Sequence, residues 1–233
     1  MRKKLGIIGG MGPEATSFFY QEIIAHTVAE RDQDHLDMVI LNHSSMPDRT
    51  KAILSGDHKE ILEALIKDAR DLEYMGAAHI AVPCNTSHYF LDQVQREVGI
   101  PILHMVRKSA EYAAKEMTPG GKVGILGTEG TIQSGIYHRE CRMAGIEPVT
   151  VPEDLQAGIT SLIYEDVKGG RTPDGRKLEN ALSYLREKGC EKVILACTEL
   201  SVFQKKEGTS PVCLDAMDVL VREAILASGA EYR

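Results

Sequence analysis

The feature that most constrains this chain is that its pattern is written twice. KKLGIIGGMGPEAT at 3–16 aligns with GKVGILGTEGTIQS at 121–134, and GAAHIAVPCNTSH at 76–88 aligns with GCEKVILACTELS at 189–201. In the second pair a glycine stands eight residues before a cysteine in both halves (84 − 76 and 197 − 189). Gly6 and Gly124 precede those same cysteines by 78 and 73 residues (84 − 6 and 197 − 124). Internal similarity on this scale predicts two like structural units.

Within each half, short apolar runs alternate with amphipathic stretches. In the first half LGIIGG at 5–10, MVILN at 38–42, HIAVPC at 79–84 and IPIL at 100–103 read as strands. A helix is expected from Pro13 to Glu30, with proline where a first turn tolerates it. Another opens at Asp57, carries Glu60 as a capping partner, repeats apolar residues from Ile61 to Met75 at helical spacing, and ends at Gly76. A further helix runs from the first cysteine to about Val98.

The second half repeats the order. KVGILG at 122–127, PVTV at 148–151, KVILAC at 192–197 and PVCL at 211–214 are strand-like. Thr131–Ala144, Asp154–Val167, Arg176–Lys188 and Asp215–Ala227 are helix-like. Strand–helix alternation implies parallel sheets covered by helices. The expected fold is α/β: two pseudo-symmetric lobes, each a mostly parallel sheet flanked by helices, with the active site in the cleft between them. The expected lobes are 1–117 plus 211–233, and 118–210, hinged at TPGGK (118–122). A length of 233 residues suits two small lobes, each with its own core.

Composition excludes several functions. A net charge of −7 argues against nucleic acid as a partner, which demands a basic face. No apolar run is long enough to cross a bilayer, and Gly9, Gly10 and Gly12 cut short the one that follows the basic N-terminus. Five cysteines (Cys84, Cys141, Cys190, Cys197, Cys213) form an odd, widely spaced set. That set speaks for free thiols in the cytosol rather than a disulfide framework. Cys141, Cys190 and Cys213 read as small apolar residues of the core. The glycine loop at 9–12 departs from the G-x-G-x-x-G dinucleotide fingerprint and is weak support for a nucleotide.

Cys84 and Cys197 are different, because both end an apolar strand, and strand carboxyl ends are where open α/β sheets bind ligands. Each is followed by what reads as a helix opening, a setting that favours thiolate. Two such thiols suit a redox pair, a metal site or proton transfer. The C-x-x-C spacing of redox motifs is absent. A metal at Cys84 and His88 has no matching ligand pair near Cys197. Proton transfer fits the symmetry best: inverting a carbon centre needs a base on one face and an acid on the other. Arg49 in SSMPDRT and Lys168 in YEDVKGG occupy matching places in the halves (49 − 6 and 168 − 124 give 43 and 44). Two such cations suit a dicarboxylate. The backbone N–H groups after Gly9–Gly12 and after Cys84 are placed to hold an α-carboxylate. A small-ligand binding protein is the non-enzymatic alternative, though a binder has no need of mirrored thiols.

GIIGGMGPEAT, MPDRT, VPCNTSH, LGTEGT and ACTELS together resemble the aspartate/glutamate racemase superfamily, on its aspartate racemase side. The resemblance spans nearly the whole chain. It implies a cofactor-independent amino-acid racemase, without pyridoxal phosphate, metal or nucleotide, acting on a small amino-acid substrate as a homodimer. It implies that Cys84 and Cys197 are the acid/base pair, with Cys84 serving the D-isomer and Cys197 the L-isomer. It implies that Asn85, Thr86 and Ser87 bind the α-carboxylate and amino group. By the same resemblance Thr128, Thr131 and Thr198 line the other side, Arg49 and Lys168 recognise carboxylates, and Met11 closes over the site. Aspartate is the expected substrate. A glutamate or broad-specificity racemase, or another isomerase of the superfamily acting on hydantoins or maleate, is the alternative. Two departures stand out. Ser87 replaces the alanine more usual after C-N-T, and Glu199 stands where glutamate racemases carry histidine. A carboxylate beside Cys197 disfavours a thiolate there.

Overall fold

The computed structural model describes residues 2–208 and 210–233. The chain divides into two compact units, one of 1–105 and 217–233, the other of 106–216.

Unit 1 contains β1 (Leu5–Gly9), α1 (Pro13–His26), β2 (Met38–Asn42), α2 (Arg49–Ser55), α3 (Lys59–Tyr74), β3 (His79–Ala81) and α4 (His88–Val94). Its sheet is parallel, in the order β2-β1-β3, with Gly6 opposite Val39 on one side and Ile80 on the other. The periodic stripe of α3 does what its spacing predicts: Ile61, Leu65, Ala69 and Leu72 are buried in one cluster with Ile8, Ile80 and Val82. Fully burying one such leucine stabilises by roughly 1.5–3 kcal/mol.

Unit 2 contains α5 (Met105–Lys115), β4 (Lys122–Gly127), α6 (Glu129–Gln133), α7 (Ile136–Met143), β5 (Glu147–Val149), α8 (Glu153–Ser161), α9 (Arg176–Glu187), β6 (Cys190–Ala196), α10 (Thr198–Glu207) and β7 (Cys213–Asp215); Met105 itself is counted with unit 1. The chain then returns to unit 1 as α11 (Ala216–Ala227). The second sheet is also parallel, in the order β5-β4-β6-β7. Gly124 lies opposite Val193, the register that Gly6 keeps with Ile80.

The matched glycines do the same work. A Cβ on Gly6 would lie 3.1 Å from Leu72 of α3, and one on Gly124 would lie 2.6 Å from Leu185 of α9. Each glycine lets a covering helix press onto the first strand of its sheet. Gly76 and Gly189, which end those helices, both take left-handed backbone (φ +79° and +81°).

Several elements differ from the sequence expectation. The first helix stops at His26, because Thr27 turns extended, its hydroxyl caps the Ile23 carbonyl at 2.6 Å, and it bridges to Tyr232. Thr131–Ala144 is two helices, split by Gly135 at φ +67°. IPIL at 100–103 forms a single bridge to Ile80, since Pro101 has no N–H to give a ladder. Its counterpart PVCL becomes β7, paired with β6. The helix after each of these segments belongs to the opposite unit: α5 to unit 2 and α11 to unit 1. The units therefore divide after residues 105 and 216, where the sequence pointed to 117 and 210.

No helix among the described residues is long and apolar enough to cross a membrane.

Candidate active site

The first half-site lies at the carboxyl ends of β1 and β3. Gly10 (φ +88°) makes the turn out of β1, and a Cβ there would lie 2.4 Å from the His43 backbone, so only glycine fits. Thr16 holds the loop: its hydroxyl accepts from Gly10 N–H at 2.8 Å and donates to the Gly12 carbonyl at 2.9 Å. The loop leaves Met11 buried, and Ser87 Oγ donates to Met11 Sδ at 3.2 Å. The hydroxyl that distinguishes Ser87 from alanine is thus spent on the thioether it faces.

Past β3 the strand expected to reach residue 84 breaks at Val82–Pro83, and Cys84 N–H turns back to the Val82 carbonyl at 2.7 Å. Cys84 is 6% exposed, and Asn85, Thr86 and Ser87 are buried after it. Their carbonyls accept from His88, Tyr89 and Phe90 N–H groups in successive tight turns, so the segment winds directly into α4. His88 is enclosed beneath it. Its Nδ1 stands 2.9 Å from the Cys84 carbonyl, and Met105 N–H donates to its Nε2 at 3.0 Å. Both ring nitrogens are occupied, which removes His88 from any metal reading. Among the described residues no group of three or more His, Cys, Asp or Glu is placed to hold a metal.

MPDRT opens α2. Asp48 is the N-cap, accepting from Lys51 N–H at 2.7 Å. The Arg49 guanidinium folds back, so that Nη1 donates to the Met46 and Pro47 carbonyls at 3.3 and 3.0 Å. Its Nε is buried without a hydrogen-bond partner.

The second half-site lies at the carboxyl ends of β4 and β6. Here the turn out of β4 needs no left-handed glycine. Thr128 caps α6, its hydroxyl accepting from Thr131 N–H at 3.2 Å and sharing a hydrogen bond with the Thr131 hydroxyl at 3.0 Å. Gln156 of α8 donates to the Gly127 carbonyl at 2.9 Å. Nothing in the spacing of the sequence signals that contact.

Cys197 is the N-cap of α10 and is 6% exposed. Its Sγ donates to Glu199 Oε2 at 2.9 Å. Thr198 Oγ1 donates to the same oxygen at 3.2 Å, and Lys168 Nζ lies 3.3 Å from Oε1. Lys168 is delivered by a π-helical turn, Leu162–Val167, and its ammonium also lies 4.9 Å over the Tyr164 ring. Such wide turns re-aim a side chain without ending the helix. Burial, and then the Glu199 charge, push the Cys197 thiol well above its ordinary range; Lys168 opposes them only in part. The expectation that a helix N-terminus makes this cysteine a thiolate is therefore reversed. The carboxylate is closer than the helix dipole, and it accepts a hydrogen bond that only the thiol can give.

Of the expected site residues, the structure groups Met11, Cys84, Asn85, Thr86 and Ser87 around one loop pair in unit 1, with Arg49 at the start of α2. It groups Lys168, Cys197, Thr198 and Glu199 in unit 2, with Thr128 and Thr131 at the end of the adjacent strand.

Comparisons with known proteins agree with this frame. A family model described as Asp/Glu/Hydantoin racemase matches residues 8–224. The broad specificity amino-acid racemase RacX of Bacillus subtilis is 33% identical over 202 residues, covering 84% of this chain and 86% of its own. The structure of Picrophilus torridus aspartate racemase superposes with a TM-score of 0.81 at 29% identity, covering 99% of this chain and 96% of that one. That of an aspartate racemase homologue from Pyrococcus horikoshii superposes at 0.79 with 27% identity, over 97% and 99%.

Proposed function

This chain belongs to the Asp/Glu/hydantoin racemase family and is an amino-acid racemase, and from that premise we propose that it inverts the α-carbon of aspartate with Cys84 and Cys197 as its base and acid. The observation that carries the reading is the hydrogen bond from Cys197 Sγ to Glu199, backed by Lys168. It holds one thiol of the pair protonated, as one member of an acid/base pair must be before the reaction starts. Cys84 stands at the matching place of the other repeat.

In one direction the Cys84 thiolate takes the α-hydrogen as a proton, and the C–H electron pair stays on the carbon. The Cys197 thiol gives its proton to the opposite face. Product leaves with the two sulfurs' protonation states exchanged, and the reverse reaction starts from that form. An α-hydrogen is a very weak acid, so rate must come from positioning, from exclusion of water and from fixed donors around the developing negative charge. Both cysteines are almost fully buried, which serves the second need. The polar segment Asn85–Thr86–Ser87 serves the third, with Met11 packed against it. Arg49, pinned by two carbonyls, is the cation assigned to the side-chain carboxylate. Thr128, Thr131 and Thr198 supply hydroxyls on the other half.

One observation favours a second reading of the substrate. Lys168 already neutralises Glu199, which leaves Arg49 as the cation assigned to a substrate carboxylate. A site with one such cation tolerates neutral amino acids better than a site with two. The broad-specificity relative points the same way.

The test is exchange of the α-hydrogen in D₂O, followed by NMR over a panel of L- and D-amino acids. Exchange of aspartate in both enantiomers, with racemisation lost in Cys84→Ser and in Cys197→Ser, is the expected result. Exchange of neutral amino acids at comparable kcat/KM selects the broad reading, and retention of racemisation in either cysteine variant overturns the mechanism. The expected homodimer belongs to the same reading and is checked by light scattering.

A further inference from the structure

We infer that His88 is the positioning residue of Cys84, a buried imidazole that ties the cysteine's own carbonyl to the backbone where the chain passes from the first unit to the second. The inference rests on the catalytic role proposed for Cys84.

The geometry leaves the ring one arrangement. Met105 N–H points at Nε2 from 3.0 Å, so Nε2 must offer its lone pair. The single proton of a neutral imidazole is then on Nδ1, donated to the Cys84 carbonyl at 2.9 Å. Burial and the neighbouring His104 ring, 5.1 Å away and edge-on, push the His88 pKa down to about 3; the Cys84 and Leu103 carbonyls and Asp92 oppose this without prevailing. The ring is therefore neutral wherever the enzyme would work, and it has no role as an acid or base.

What the ring joins gives it a purpose. Cys84 is the point where strand pairing has ended and the chain doubles back, so its carbonyl has no ladder partner from the sheet. Met105 opens α5, and helix-opening N–H groups lack partners within the helix. It is also the last residue of unit 1 before the chain crosses. One imidazole hydrogen-bonds both groups. A plain hydrophobic side chain would lose both hydrogen bonds, and a longer or shorter polar one would keep only one.

Two substitutions separate the halves of the bridge. Asparagine keeps a donor near the Nδ1 position and loses the reach to Met105. Glutamine keeps an acceptor near the Nε2 position and loses the donor to Cys84. The expected result is that His88→Asn and His88→Gln each lower kcat about tenfold, equally for both enantiomers, with KM within about twofold, as a small misplacement of a reacting group does. Alkylation of Cys84 by iodoacetamide changes rate in both variants while that of Cys197 does not. Wild-type kcat in either folded variant overturns the bridge. The wild-type protein labelled with ¹⁵N-histidine gives an independent reading should a variant fail to fold. A protonated Nδ1 and an unprotonated Nε2 that do not titrate between pH 5 and 9 are expected; a proton on Nε2, or titration near the ordinary histidine range, overturns the inference. Cys84→Ser keeps the two failures apart. If it retains turnover, the mechanism itself falls; if it is inactive while both His88 variants run at wild-type kcat, only the role of His88 falls.

Discussion

The two cysteine segments began as the same pattern and are held in different ways. Cys84 is gripped through its backbone: its carbonyl is held by His88, and the residues after it wind through tight turns into α4. Cys197 stands at the N-cap of its helix and is gripped through its sulfur, which donates to the carboxylate two residues on. The loops beside them differ in the same way. The turn out of β1 is made by a left-handed Gly10 locked against His43 and Thr16, and the turn out of β4 by the Thr128 cap. Repeated strands set two equivalent places for sulfur. The residues one to four positions later decide how each cysteine is held.

The sharpest way to break the comparison is to remove each sulfur in turn. Cys84→Ala and Cys197→Ala should each lower kcat by about 10³-fold or more, the upper range for a positioned acid or base, measured by circular dichroism of the racemising substrate. Comparable losses from both would show the two halves to be jointly required, whereas a mild loss from one would make the other the sole proton carrier.

Next in size is the glycine loop of unit 1. Gly10→Ala forces a side chain into left-handed backbone and into His43, and should destabilise by roughly 3 kcal/mol in urea unfolding. The matched change in unit 2, Thr128→Ala, removes only a cap and should cost about 1 kcal/mol. A reversed order would mean that the two loops are not built as described.

Between those two lies Glu199→Gln. The carboxylate raises the Cys197 pKa, so a neutral amide must lower it. The basic limb of the kcat–pH profile should move to lower pH, and Cys197 should alkylate faster at neutral pH. Because enantiomers have equal free energy, kcat/KM stays equal in the two directions. Glutamine should instead shift kcat and KM oppositely between directions, by about tenfold for the step in which Cys197 must supply the proton. An unchanged pH profile would remove Glu199 from the tuning of the pair.

Much of the candidate site was legible because it sits on strands and at their ends. The alternation of apolar runs and glycines singles out both cysteines, and it places Gly6 and Gly124 at equivalent strand positions. Glu199 was legible as an anomaly that disfavours thiolate, though its hydrogen bond to the sulfur was not: a side chain two residues along a helix faces its neighbour only if the first residue is the cap. The short α2 and α5 escaped the reading. The first lies within a polar stretch, and the second carries its apolar face into a unit that begins where it does.

What the sequence determined by itself was the doubling: two parallel sheets and the matched positions of Cys84 and Cys197. These follow from local periodicity and from the need of each helix to press on a strand at a glycine. Tertiary structure alone decided three things: that Lys168 reaches Glu199 from a π-helical turn 31 residues away (199 − 168), that His88 joins Cys84 to Met105, and that α5 and α11 exchange units. Those depend on distances between segments far apart in the chain, and residue spacing carries no record of them.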